Sequence, residues 1–249
     1  MFTPTVRARL RGELIEAARA DGEVVGAALV GSAATGREDA WSDIDLVLQV
    51  RSGVEPEEVA DRWTVAFYER HGAAHHLDVV AGGVLYRVFL LASSLQVDVS
   101  FWPEDRFRAT EPGFAVLFGE PQPSSEPAGL DVSQEVGKAW LYALHSRSAI
   151  ARGRMWQATM MLDHLRDQLL VLACLRHGLN PHHGREADRL PPSVLDALRH
   201  ARATTMALPE LSRSHQALVR TLIDEVALYD HGLFAKLNAP LGVLSRFDA

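Results

Sequence analysis

Apolar and polar positions follow two regimes along the chain. Up to Phe101, short apolar runs alternate with helical stripes. Thr3-Pro4 reads as an N-cap followed by proline at the first helical position, and Val6, Leu10, Leu14, Ile15 and Ala18 recur at helical spacing as far as Gly22. The valine-rich run from Val24 to Val30 predicts a buried strand leading into Gly31-Ser32. Ala33 to Ser42 is a short helix or turn, and Asp43 to Val50 a second strand broken by Ser52-Gly53. Pro56 to Arg70 carries the stripe Val59, Trp63, Phe67 and Tyr68 of a helix. Leu77 to Val80 and Val84 to Leu91 read as strands around the turn Gly82-Gly83. Leu95 to Phe101 alternates with period two: Leu95, Val97, Val99 and Phe101 on one face, Gln96, Asp98 and Ser100 on the other.

The stretch EPQPSSEPAG at 120–129 interrupts this order with three prolines and two serines, and it reads as a linker. Only the helical period follows. Asp131 or Ser133 caps a helix to about Ala151, and Arg154 to His177 forms a second, with Gly178 suited to its C′ position. Asn180 to Gly184 is a loop. A short helix runs from Pro191-Pro192 through Ala201, and a last long helix begins at Ser212 or Ser214 and carries Leu218, Leu222, Val226 and Tyr229. The expected architecture is therefore α+β: a mixed sheet flanked by helices over 1–120, a linker over 121–130 and an all-α bundle over 131–249.

Composition narrows what this architecture can do. The 249 residues and 47% hydrophobic content support a sizeable core, and a net charge of −7 argues against a broad nucleic-acid surface. The single Cys174 excludes an internal disulfide framework and fits a reducing cytoplasm. Met1 to Gly22 is too charged for a signal peptide, and the apolar run around Leu169 to Leu175 is too short to span a bilayer.

The chemistry concentrates at Gly31 to Val50. Strand alternation places Asp43 and Asp45 on one face, with Ile44, Leu46 and Leu48 on the other. Two carboxylates so placed repel unless a cation lies between them, and a hard ion such as Mg²⁺ is bound through one or two carboxylates plus substrate phosphates. Asp98 is a third carboxylate presented from a strand. Gly31 allows close approach of backbone to phosphate, and Ser32 adds a hydroxyl donor.

An apolar strand, Gly31-Ser32, a spacer, Asp43-Ile44-Asp45-Leu46 and a later Val97-Asp98-Val99 together resemble the nucleotidyltransferase superfamily that includes DNA polymerase beta, over roughly Val24 to Phe101. The resemblance implies a catalytic domain at 1–120. There Gly31 and Ser32 hold a nucleoside triphosphate, and Asp43, Asp45 and Asp98 hold one or two Mg²⁺ ions, with Asp98 either a metal ligand or a general base. Arg37 and Ser42 are further candidate nucleotide contacts. Many relatives carry arginine three positions after the serine, where this chain has Thr35. Trp41 is expected to pack beside the site.

Size, acidity and the helical second half are similar to aminoglycoside and lincosamide nucleotidyltransferases. This implies transfer of a nucleoside monophosphate, most readily AMP from ATP, to a hydroxyl of a small molecule such as an aminoglycoside-like antibiotic. The expected state is a cytoplasmic monomer or homodimer without nucleic-acid or membrane partners. Modification of a protein, as by antitoxin-like nucleotidyltransferases, and a silent nucleotide-binding module are the alternatives. On the second bundle helix Asp163, Arg166 and Asp167 share a face that would line the cleft and contact acceptor or phosphate, with Lys138 a further phosphate contact and Trp156 near the same face. His182-His183 and His75-His76 lack the partners that would complete a metal cluster, and Cys174 reads as an inert buried thiol.

Overall fold

A computed structural model describes residues 2–109, 113–124 and 129–246. The chain divides into two compact units, Met1–Ala128 and Gly129–Ala249. The first is a six-stranded mixed sheet with helices. Its strands are β1 (Val24–Leu29), β2 (Ile44–Val50), β3 (Ala73–Ala81), β4 (Val84–Leu91), β5 (Gln96–Pro103) and β6 (Ala115–Phe118), arranged in the order β3-β4-β5-β2-β1-β6. All neighbouring pairs are antiparallel except β2 and β5, which run parallel.

The alternation read from the sequence decides what each face of the sheet buries. Ile44, Leu46 and Leu48 of β2 and Val97, Val99 and Phe101 of β5 enter the main core. They meet Leu10, Leu14 and Ala18 of α1 (Pro4–Ala20) and Val59, Trp63 and Phe67 of α3 (Pro56–Arg70), with Phe67 stacked on Phe89 at 3.8 Å. The opposite face holds a smaller cluster of Ala28, Val47, Val84, Trp102 and Phe107. Asp45 and Asp98 belong to this second face by alternation. The main core thus braces the sheet from behind and leaves the carboxylates on the other side.

The expected N-cap is present: Thr3 Oγ1 accepts from the Val6 amide at 3.3 Å. Several boundaries differ. β2 begins at Ile44, so Asp43 stands just before the strand. The strand expected at Leu77 to Val80 extends over Ala73–Ala81, because pairing with β4 supplies an order that its mixed polar sequence does not show. The short edge strand β6 had no alternating signature long enough to read.

The second unit is a helical bundle of α4 (Val132–Ala151), α5 (Met155–Arg176), α6 (Pro192–Ala201), α7 (Leu208–Tyr229) and α8 (His231–Leu244). Asp131 caps α4 through the Ser133 amide, and Gly178 takes φ +64 after α5. Ser212 and Ser214 do not start α7. Leu208-Pro209 does, and both serines lie buried inside the helix. A further helix, α8, follows Asp230, whose side chain caps it, and it continues through Pro240. No helix among the described residues is long and apolar enough to cross a membrane.

Candidate active site

β1 ends against Gly31, which opens the one-turn helix α2 (Gly31–Ala34) with φ +65. Two observations explain glycine here. The left-handed backbone disfavours side chains, and a Cβ would stand 2.4 Å from Asp45 Oδ2. The close approach therefore sets both the turn and the space for the carboxylate. Next to it, Ser32 Oγ is buried and, among the described residues, without a hydrogen-bond partner. A buried hydroxyl left unpaired costs free energy, and a polar ligand at the turn would recover it.

The loop that leads into Asp43 is tied from two sides. Asp39 Oδ1 accepts from the Trp41 amide at 2.8 Å and from Ser42 Oγ at 3.1 Å, while Ser42 Oγ accepts from the Asp39 amide at 2.9 Å. These bonds hold the Asp39 carboxyl below its ordinary range, the Trp41 amide first among them. Arg7 of α1 donates to the carbonyls of Asp39 at 2.6 Å and Ser42 at 3.0 Å. It also lies 3.2 Å from Glu38, whose carboxyl is lowered chiefly by its hydrogen bond from Arg11. Arg7 is buried among the core positions Leu10, Leu14 and Ala18. Its sequence signal is an arginine on the apolar stripe of α1.

Asp43, Asp45 and Asp98 converge. Each offers a carboxylate oxygen, and the three oxygens lie within 4.8 Å of one another. Among the described residues this is the one group of three or more histidine, cysteine or acidic side chains arranged to hold a metal. Parallel pairing makes Asp45 and Asp98 register partners on β2 and β5. Burial raises the Asp98 carboxyl above the usual aspartate range, and the charge of Asp43 adds to that. Gln96 opposes the shift by donating to both Asp98 oxygens, at 3.0 and 3.2 Å. Gln96 lies on the polar face of β5 with Asp98, two residues away, which is the local signal for this pairing.

The other expected site residues are distributed as follows. Arg37 Nε donates to Thr35 Oγ1 at 3.1 Å, and Thr35 Oγ1 donates to the Gly31 carbonyl at 3.1 Å, so Arg37 lies at the glycine turn. Ser42 has its hydroxyl committed to Asp39, as above. Trp41 does not pack beside the site: it is 78% exposed, because the Asp39 turn projects it outward. Lys138, Asp163, Arg166 and Asp167 all belong to the helical unit. Lys138 pairs with Glu135 at 2.7 Å, and Arg166 bridges Asp163 at 2.7 Å and Asp167 at 2.8 Å. Trp156 is 76% exposed. His76 bonds Tyr68 at 3.0 Å, and Asp78 is engaged by Arg87.

Residues 11–109 match the family model of the nucleotidyltransferase domain. The chain therefore carries a nucleotidyltransferase domain over that segment, the domain of an enzyme that acts on a nucleotide. Among solved structures it is similar to an aminoglycoside 6-adenyltransferase from Bacillus subtilis, at 12% identity over 94% of this chain and 96% of that one, with a TM-score of 0.38. It is also similar to the GLD-2/RNP-8 complex, at 15% identity over 88% of this chain and 76% of that one, with a TM-score of 0.33. No curated protein matches the chain.

Proposed function

We propose that this enzyme transfers AMP from ATP, with Mg²⁺, to a hydroxyl of a small molecule, an aminoglycoside-like compound being the first acceptor class to test. The observation that carries the reading is the convergence of Asp43, Asp45 and Asp98 beside a glycine turn with an unpartnered Ser32 hydroxyl. The donor set fits the ion: three hard carboxylate oxygens within 4.8 Å of one another suit Mg²⁺. Asp43, Asp45 and Asp98 would hold it, and when bound it supplies positive charge to the triphosphate and the departing pyrophosphate. A net charge of −7 favours a small or cationic acceptor over a polyanion.

The chain's own residues divide the remaining work. Ser32 donates its free hydroxyl to a phosphate oxygen, and Gly31 keeps the approach open. Arg37 reaches phosphate from the same turn. Asp98 accepts the proton of the acceptor hydroxyl. The hydroxyl oxygen bonds to the α-phosphorus as the bond from that phosphorus to the β-phosphate oxygen breaks, and pyrophosphate leaves.

The test is a screen of nucleoside triphosphates against antibiotics and metabolites, following pyrophosphate, with the label in ATP traced afterwards. The expected result is metal-dependent release with ATP, a labelled small molecule, and no release by Asp43→Asn or Asp45→Asn. Undiminished release by either variant, or label confined to protein, overturns the reading.

A further inference from the structure

The sheet face that bears Asp98 continues along β5 to Ser100 and Trp102, and β4 sets Tyr86 opposite Ser100 there. Trp102 is four residues from Asp98, about 13 Å at the rise of a strand. Beyond it an open cavity of about 540 Å³ is floored by Val84, Tyr86 and Trp102 and walled by Arg106 and Arg108. This volume falls in the range of small-ligand sites.

The two arginines are positioned by backbone carbonyls. Arg106 Nη1 donates to the Gly82 carbonyl at 2.7 Å. The guanidinium lies across the Gly82-Gly83 hairpin, where a Cβ on Gly83 would stand 2.1 Å from the same nitrogen. Arg108 Nη2 donates to the Asp105 carbonyl at 2.8 Å, and its Nε to the Arg106 carbonyl at 3.4 Å. Among the described residues neither guanidinium meets a carboxylate, although the chain as a whole is acidic. Backbone carbonyls fix the direction of each group. The Trp102 indole is likewise fixed, donating to Ser100 Oγ at 2.9 Å. Guanidinium groups bind planar or tetrahedral oxyanions through paired donors, and the aromatic floor offers a surface for a ring.

We propose that this basin is a second ligand site, separate from the three carboxylates, which takes a small molecule consisting of a ring that bears a phosphate or carboxylate. Arg106 and Arg108 hold the oxyanion, and Tyr86 and Trp102 contact the ring. The site requires no metal and no bound nucleotide.

Phenyl phosphate, benzoate and neutral benzyl alcohol, titrated calorimetrically into the full chain in metal-free buffer, test this. Phenyl phosphate binding that weakens about tenfold or more in Arg106→Ala/Arg108→Ala is the expected result, consistent with the loss of charge-assisted hydrogen bonds. Arg106→Lys/Arg108→Lys should retain part of the affinity. Binding of benzoate as well identifies a general oxyanion site, and its failure to bind identifies a phosphate site. Asp43→Asn should bind phenyl phosphate as the unaltered protein does, even where it has lost transfer, so this site and the proposed reaction stand or fall separately. No detectable binding, equal affinity in the double alanine variant, or equal binding of benzyl alcohol overturns the proposal.

Discussion

Gly31 and Asp45 are in mutual steric register: the hydrogen that glycine carries in place of a side chain is all that fits in front of the Asp45 carboxylate, since a Cβ would lie 2.4 Å from Oδ2. The glycine turn and the carboxylate pair, which look like separate motifs in the sequence, are one packed object. Gly31→Ala should therefore act twice. The left-handed φ costs about 1–2 kcal/mol, and the methyl displaces Asp45. We expect a modest fall in Tm but a fall in pyrophosphate release of about 100-fold, the scale at which ångström misplacement acts. Loss of stability alone, with turnover per folded molecule unchanged, would show that the contact does not position Asp45.

Asp98 gives a pH prediction for the metal-free protein. Its carboxyl is raised in the fold by burial first and by Asp43 as well. A carboxyl raised above its unfolded value binds protons more readily when folded, so folding stability falls as pH rises from the ordinary aspartate range through the raised value. Asp98→Asn removes this cost. The variant should melt higher than the unaltered chain at pH 7, with the difference shrinking as the pH is lowered toward 4. Thermal melts in EDTA across that range check the sign, and a variant that melts lower at pH 7 would contradict it.

In the helical unit His215 is fully buried between Ser146 Oγ, 2.8 Å from Nδ1, and the Leu244 carbonyl, 3.1 Å from Nε2. Burial pushes its pKa down to about 4. Here the unfolded chain binds the proton more readily, so stability is complete above about pH 6.5 and is lost as pH falls toward 4. The span corresponds to about 3 kcal/mol. His215→Gln should flatten this acid limb relative to the unaltered chain in denaturant titrations at a series of pH values.

Arg87 ties β4 to its neighbours. Its Nε and Nη2 bond the two Asp78 oxygens at 2.6 and 2.7 Å, and Nη1 bonds Asp61 at 2.9 Å and Thr64 at 2.8 Å on α3. Arg87 is buried while both carboxylates reach solvent, so they rehydrate when it is removed. Arg87→Ala should destabilise the first unit by about 2–3 kcal/mol, within the range for hydrogen bonds to charged groups. Arg87 also holds the Asp78 carboxyl below its ordinary range. That part of the stability is present above the usual aspartate pKa and disappears as acid protonates Asp78. Urea melts at pH 7 and pH 3 should show a smaller difference between variant and unaltered chain at the lower pH.

Much of the site was legible because alternation is a local property. Asp45 and Asp98 sit on strands whose other faces are Ile44, Leu46 and Leu48 and Val97, Val99 and Phe101, so the pleat decides which way these two point, while Asp43 stands just before β2. Ser42 and Trp41 were less legible. Their roles follow from Asp39, which takes the serine hydroxyl and the tryptophan amide into its own turn. Arg7 was hidden for a different reason: its partners are carbonyls more than thirty residues away. The start of α7 at Leu208 was missed because Ser212 and Ser214 look like caps and are buried instead.

The sequence by itself determined most of the strands and helices in their order, without β6 and α8, the change from mixed to purely helical pattern, and the face on which Asp45 and Asp98 stand. These follow from periods of two and of 3.6 residues, which any short segment displays. Only the tertiary structure decided that β2 and β5 lie side by side and parallel, and that Asp45 pairs in register with Asp98. Pairing joins residues fifty-three positions apart, and no local period encodes such a contact. It also decided that Arg106 and Arg108 meet Tyr86 and Trp102 around one cavity. Individually these are ordinary surface and strand residues, and packing alone gives them a common place.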